Sequence, residues 1–158
     1  MRFFEDIRVG ERFEVGSHTF TADSIKAFAS KFDPQLFHMD EEAARRSHFG
    51  ALCASGWQTA SVWMRLMVEH QRREDDARRA RGETIAALGP SPGFRELKWL
   101  KPVYVDDTIT YATEVVDLRP SNSRPEWGIM TIRNSGTNQK GEPVISFVST
   151  SFVERRRD

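Results

Sequence analysis

The chain has 158 residues, 39% of them hydrophobic and 29% charged, with 11 Phe and 4 Trp to fill an interior; that suits one globular domain with one core, over residues 1–158. Its 23 Lys and Arg balance its 23 Asp and Glu, so the basic excess of a nucleic-acid binder is missing. A single cysteine excludes an intrachain disulfide framework, and no run approaches the ~20 apolar residues of a membrane span.

The start, Met1-Arg2-Phe3-Phe4-Glu5-Asp6, holds no apolar segment of signal-peptide length, so the expected location is cytoplasmic. Residues 9–20 read as a strand in part, with Phe13 and Val15 alternating with charged neighbours and Gly10 and Gly16 as punctuation. Thr21 is placed to cap a helix whose apolar face is Ile25, Phe28, Ala29 and Phe32, and Pro34 stops it. That pattern predicts a buried Phe32 and sets Asp33 at the edge of packed structure. Asp40 is placed to cap a short helix through Glu41, Glu42, Ala43 and Ala44. Cys53, in the run Ala51-Leu52-Cys53-Ala54, reads as a buried small hydrophobe.

A longer helix is predicted from Ser55 or Gly56. Trp57, Ala60, Met64, Met67 and Val68 form one apolar seam, while Val62, Trp63 and Leu66 lie on another side. A helix apolar around most of its circumference is usually central to its domain. From Glu69 it becomes strongly charged, and the pairs Glu69–Arg73, Glu74–Arg78 and Asp75–Arg79 predict a solvated continuation ending near Gly82. After the loop at 89–93 the pattern is β: strands are expected over 94–100, 108–118, 127–133 and 144–153, with a turn at Asn138-Gln139-Lys140-Gly141. Strands following a buried helix, with short returns, imply an α+β fold in which an antiparallel sheet is covered by that helix.

Asp33 and His38 are five residues apart across a proline turn, with Phe37 and Met39 flanking the histidine. Two readings fit: a capping Asp beside a half-buried His, or an acid–base pair holding one water in a partly dry cleft. Ser61, a hydroxyl in an apolar seam, similarly either lines a site or bonds back to the preceding turn. Other chemistries fit poorly. His18, His38, His48 and His70 make no close-spaced metal-ligand pair, and there is no Gly-rich phosphate loop and no Gly-x-Ser-x-Gly elbow.

Asp33-Pro34-Gln35-Leu36-Phe37-His38, followed by Asp40-Glu41-Glu42-Ala43-Ala44, resembles the signature Asp-x-Asn-Pro-x-His of the MaoC-like family, which includes the R-specific enoyl-CoA hydratases. Ala54-Ser55-Gly56-Trp57-Gln58-Thr59-Ala60-Ser61 resembles the start of that family's central helix. Lys101-Pro102-Val103-Tyr104-Val105-Asp106-Asp107-Thr108-Ile109 resembles its Pro-Val-x-x-Gly-Asp-Thr strand start. The blocks stand in family order, and the resemblance runs over residues 5–153.

The resemblance implies a single hot-dog domain, an antiparallel sheet wrapped around a long central helix, that reversibly hydrates a trans-2-enoyl-CoA to the (R)-3-hydroxyacyl-CoA, a reaction of fatty acid metabolism. Asp33 and His38 would activate and position water, and the backbone N–H of Gly56 would polarise the thioester carbonyl. Gln35, Ser55, Trp57 and Ser61 would contact substrate. No metal and no cofactor is implied beyond the CoA carried by the substrate, and a homodimer or higher oligomer is expected, with no nucleic-acid or membrane partner. Arg95, Lys98 and Lys101 are candidate contacts for the CoA phosphates. The chain departs from the family pattern at Gln35 for Asn, Leu36 for Pro, Phe32 for Gly and Asp106 for Gly. The first two are what a non-catalytic thioester-binding subunit would show; a hot-dog thioesterase is disfavoured because residues 57–68 contain no carboxylate.

Overall fold

The computed structural model describes residues 1–156. Strand β1 (Arg12–Thr19) is followed by α1 (Ala22–Phe32), α2 (Leu36–Met39), α3 (Glu41–Arg46) and the 25-residue α4 (Gly56–Ala80). Then come β2 (Gly93–Trp99), β3 (Thr108–Pro120), β4 (Trp127–Thr137) and β5 (Pro143–Glu154). The five strands form one sheet in the order β1-β3-β4-β5-β2, every neighbouring pair antiparallel. One face of the sheet packs on α4, the antiparallel sheet covered by a helix that the residue pattern predicts.

The helix starts are set by local chemistry. Thr21 Oγ1 accepts the Ser24 N–H at 3.2 Å, Asp40 Oδ1 accepts the Ala43 N–H at 2.7 Å, and Ser55 Oγ accepts the Trp57 N–H at 3.2 Å. Each satisfies one amide that a helix start leaves without an internal partner.

The buried face of α4 is Gln58, Thr59, Val62, Trp63 and Leu66. It lies against Ile109, Tyr111, Val115, Ile132 and Phe147 of the sheet in one continuous core. Each large apolar side chain buried there contributes about 1.5–3 kcal/mol. The Tyr111 hydroxyl donates to the Thr59 carbonyl at 3.0 Å, tying sheet to helix. Gly16, at a bulge in β1 with φ +138°, lets that strand approach the helix: a Cβ there would lie 3.3 Å from Leu66 Cδ2.

Of the two apolar sides that the sequence shows, the sheet covers the one with Val62, Trp63 and Leu66. On the other side Trp57, Met64 and Val68 are exposed, while Ala60 and Met67 pack beside the core. Phe32, expected inside, is 69% exposed; α1 anchors itself through Ile25 and Ala29, and Phe32 lies on Phe28 at its tip. The charged continuation of α4 is mainly solvated, as expected, and Glu74–Arg78 forms at 3.9 Å, but the rest of its pairing differs. Asp75 receives the Met1 ammonium and Gln71 rather than Arg79, and Arg79 reaches Asp76 instead. Arg79–Asp76 is an exposed pair, of a kind that contributes about 0–1 kcal/mol, whereas Met1–Asp75 is largely covered. Strand β4 runs four residues past the expected end, to Thr137, where the predicted turn closes with Gly141 N–H on the Asn138 carbonyl at 2.9 Å.

Candidate active site

Helix α1 ends because Pro34 cannot continue it, and Asp33 is its C-cap at φ −155° and ψ 68°, outside the helical region. The chain turns at once: the Gln35 N–H bonds the Asp33 carbonyl at 2.8 Å, and one helical turn, α2, follows. That turn brings His38 back beneath Asp33, so that Oδ2 of the acid is 3.5 Å from Nε2 of the imidazole. The sequence gives no sign of α2; without it, residues five apart would not face each other.

His38 is 5% exposed, with the rings of Phe37 at 4.6 Å and Phe49 at 6.5 Å. Its Nδ1 lies 2.7 Å from the Cys53 carbonyl oxygen. A carbonyl only accepts, so Nδ1 carries a proton and donates to it, and Nε2 is the ring nitrogen turned toward Asp33. The fixed tautomer is thus a consequence of the backbone at Cys53, which composition could not reveal. The Cys53 thiol is buried, and burial pushes its pKa up to about 11, which fits an inert side chain rather than a nucleophile.

Asp33 is also largely covered. Partial burial works against its ionised form, but hydrogen bonds led by those from Gln35 and Ser55 favour it, and the carboxyl is held below its ordinary value. The Gln35 bond, Nε2 to Oδ1, is 2.8 Å. Gln35→Leu should therefore move the Asp33 titration upward, toward the value of a free carboxyl. A carboxyl-carbon NMR titration reads this directly; an unmoved or lowered titration would show that the Gln35 contact does not support the charge.

Ser55 and Gly56 close the site from the helix side. Ser55 is 1% exposed and caps α4. The Gly56 N–H has no acceptor among the described residues and points out of the positive end of a 25-residue helix. Asp33, Gln35, His38, Ser55, Gly56 and Trp57 line one cavity of about 440 Å³. Ser61 does not join them. It is exposed, and its hydroxyl donates back to the Trp57 carbonyl at 2.8 Å, because position 61 falls on the outward side of α4.

Of the three basic candidates, Lys101 lines the cavity and is paired with Glu142 at 2.5 Å. Arg95 is engaged with Glu96, and Lys98 is exposed on β2. Trp99 and Leu100 are wall residues that sequence patterning missed. A second cavity of about 440 Å³, at the far half of α4, holds His70 stacked on Phe13 at 5.0 Å, and among the described residues no carboxylate forms an ion pair with that ring. Among the described residues no group of three or more His, Cys, Asp or Glu is placed to hold a metal ion, and no helix is long and apolar enough to cross a membrane.

Comparison with known proteins gives a consistent picture. The model of the MaoC-like domain matches residues 6–134. The chain is 33% identical over 151 residues to an uncharacterised protein of Bacillus subtilis, spanning 96% of this chain and 98% of that one. It is 30% identical over 163 aligned positions to a mesaconyl-CoA hydratase of Cereibacter sphaeroides, spanning 98% of this chain but only 42% of that longer protein. The crystal structure of a MaoC-like dehydratase from Rhodospirillum rubrum superposes with a TM-score of 0.81 at 39% identity, over 100% of both chains.

Proposed function

The chain belongs to the MaoC-like family of hydratases and dehydratases, and from that membership we propose that it adds water reversibly across the double bond of a trans-2-enoyl thioester, with CoA as carrier. The observation that supports the reading is Nε2 of His38 and the Asp33 carboxylate, 3.5 Å apart, in the same cavity as the free amide of Gly56.

Both Nε2 and the Asp33 carboxylate accept hydrogen bonds, so a single water donates one hydrogen to each. As the water oxygen bonds to C3, its proton passes to Nε2. The electron pair of the C2–C3 double bond moves toward the thioester carbonyl, where the Gly56 N–H and the helix dipole stabilise the enolate oxygen. The imidazolium, held by Asp33, then returns the proton to C2. One hydrogen and one hydroxyl are added, nothing is oxidised or reduced, and dehydration runs the same steps backwards. The mesaconyl-CoA hydratase relative supports an acyl-CoA as substrate.

The test is to follow the enoyl-thioester absorbance over a panel of acyl chains while assaying free thiol. Loss of absorbance with no thiol released is expected. Thiol release would indicate a thioesterase, and no turnover on any substrate would leave the non-catalytic subunit as the better reading.

The outward face of α4 and the open edge β2 together expose Trp57, Met64, Val68, Phe94, Trp99 and Leu100, an apolar surface that monomers seldom leave uncovered. A second copy of the chain is proposed to cover it. Light scattering should give twice the chain mass; a monomer at micromolar concentration would refute this assembly.

A further inference from the structure

The backbone that holds His38 is itself held from its far side. Cys53, whose carbonyl accepts the His38 Nδ1–H at 2.7 Å, forms an isolated antiparallel bridge with Tyr104. The next amide, that of Ala54, donates to the Val103 carbonyl at 2.8 Å. The Tyr104 hydroxyl donates to the Phe49 carbonyl at 2.9 Å, and the Phe49 ring flanks the imidazole. Residues 103–104 thus brace both segments that enclose His38 from this side.

Asp107 in turn fixes Tyr104. The turn over 104–107 closes with the Asp107 N–H on the Tyr104 carbonyl at 3.1 Å, and Asp106 takes a left-handed φ of 66° within it. This aims the Asp107 carboxylate back at the start of the turn, where Oδ2 accepts the Tyr104 N–H at 2.8 Å. Oδ1 accepts Nε2 of Gln139, from the β4–β5 connection, at 2.8 Å, and Oε1 of Gln139 accepts the Thr108 N–H at 3.0 Å. The Thr108 amide can only donate, which settles the orientation of the Gln139 side chain. Asp107 is 8% exposed, so water is a poor substitute for either bond. A carboxylate offers an acceptor to each of the facing N–H groups. An asparagine offers one acceptor and one donor, and would meet one of them donor to donor.

We propose that Asp107 is a positioning residue for His38: by holding Tyr104 it fixes the Cys53 carbonyl, and through that carbonyl the aim of the imidazole at Asp33. The proposal rests on the reading that His38 moves the proton. It deepens that reading by naming a residue that does not line the cavity but on which the geometry of the acid–base pair depends.

The experiment reverses the polarity of one hydrogen bond, using Asp107→Asn, Gln139→Glu and the double variant. Asp107→Asn leaves one N–H without an acceptor. Gln139→Glu sets two carboxylates face to face by changing an exposed side chain, so it reports even if Asp107→Asn fails to fold. In the double variant the new amide accepts from Tyr104 and donates to the new carboxylate, which still accepts from Thr108. Each single variant should lower kcat for enoyl-thioester hydration by about tenfold or more with KM little changed, as expected of a misaligned catalytic group. The double variant should return to within about threefold of wild type. The proton resonance of His38 Nδ1–H should move or broaden in the single variants and return in the double.

A lowered melting temperature with kcat and the Nδ1–H resonance unchanged would overturn the proposal, leaving Asp107 a role in stability alone. So would a double variant no better than Asp107→Asn in folding or in kcat. The expected pattern in the resonance without turnover of any enoyl thioester would remove the hydratase reading and keep Asp107 as the residue that positions His38.

Discussion

Asp33→Asn is expected to lower kcat for enoyl-thioester hydration by about 10²–10⁴-fold, with little change in thioester affinity. Asparagine keeps the shape of the carboxylate and can still accept a hydrogen bond, but it cannot hold an imidazolium 3.5 Å away. His38→Ala should cost a similar factor, and the double variant little more than either alone, because the two groups act on one water. Stopped-flow or steady-state absorbance assays check this. A double variant whose loss is the product of the single losses would show that the residues act separately.

The same substitution has a signature in stability. The Asp33 carboxyl titrates below its ordinary value of 3.8 in the folded chain. Its contribution to stability is therefore present above that value and lost as pH falls through the folded one. Wild type should be more stable than Asp33→Asn at neutral pH, with the gap closing below pH ~4. Urea midpoints at several pH values would show it; a gap that widens in acid would contradict the direction.

Gly56→Val carries the second large effect. A side chain at 56 must displace the Trp99 indole, and the displaced ring or the new methyl groups then crowd the amide that the carbonyl needs. A loss of about 10²–10³-fold in kcat/KM is expected, the range for removing one oxyanion donor, together with a lowered melting temperature. Adding Trp99→Ala relieves the collision, so the double variant should recover melting temperature while most of the activity loss persists. Full recovery of activity would mean that glycine stands at 56 only to seat the tryptophan.

Some of this molecule was legible in its residues and some was not, for identifiable reasons. Caps at Thr21, Asp40 and Ser55 and the stop at Pro34 act within one turn, so local sequence located α1, α3 and the start of α4 closely. Alternation found the strands, but bulges reset it. The shift between Val115 and Asp117 in β3, and that between Arg95 and Lys98 in β2, change which residues face inward. Trp99 was missed for that reason. The orientation of α4 was ambiguous because apolar residues nearly encircle it, and only the sheet decides which arc is covered. Of the two readings open for Ser61, the structure has the bond back to the preceding turn, because residue 61 lies on the uncovered side of α4. The Cys53 carbonyl, which fixes the His38 tautomer, is a backbone group 15 residues from the ring it serves, and side-chain identity carries no trace of it.

The central claim is that the Asp33–His38 pair delivers water to C3 of an enoyl thioester whose carbonyl rests on Gly56. Incubating the protein with crotonyl-CoA in ¹⁸O-labelled water, followed by mass spectrometry of the products, tests it at the level of atoms. The account predicts 3-hydroxybutyryl-CoA with one heavy oxygen in the hydroxyl group and the thioester intact, formed by wild type and suppressed in Asp33→Asn. Heavy oxygen in a free carboxylate, or a hydroxyl label that Asp33→Asn forms equally fast, would contradict it.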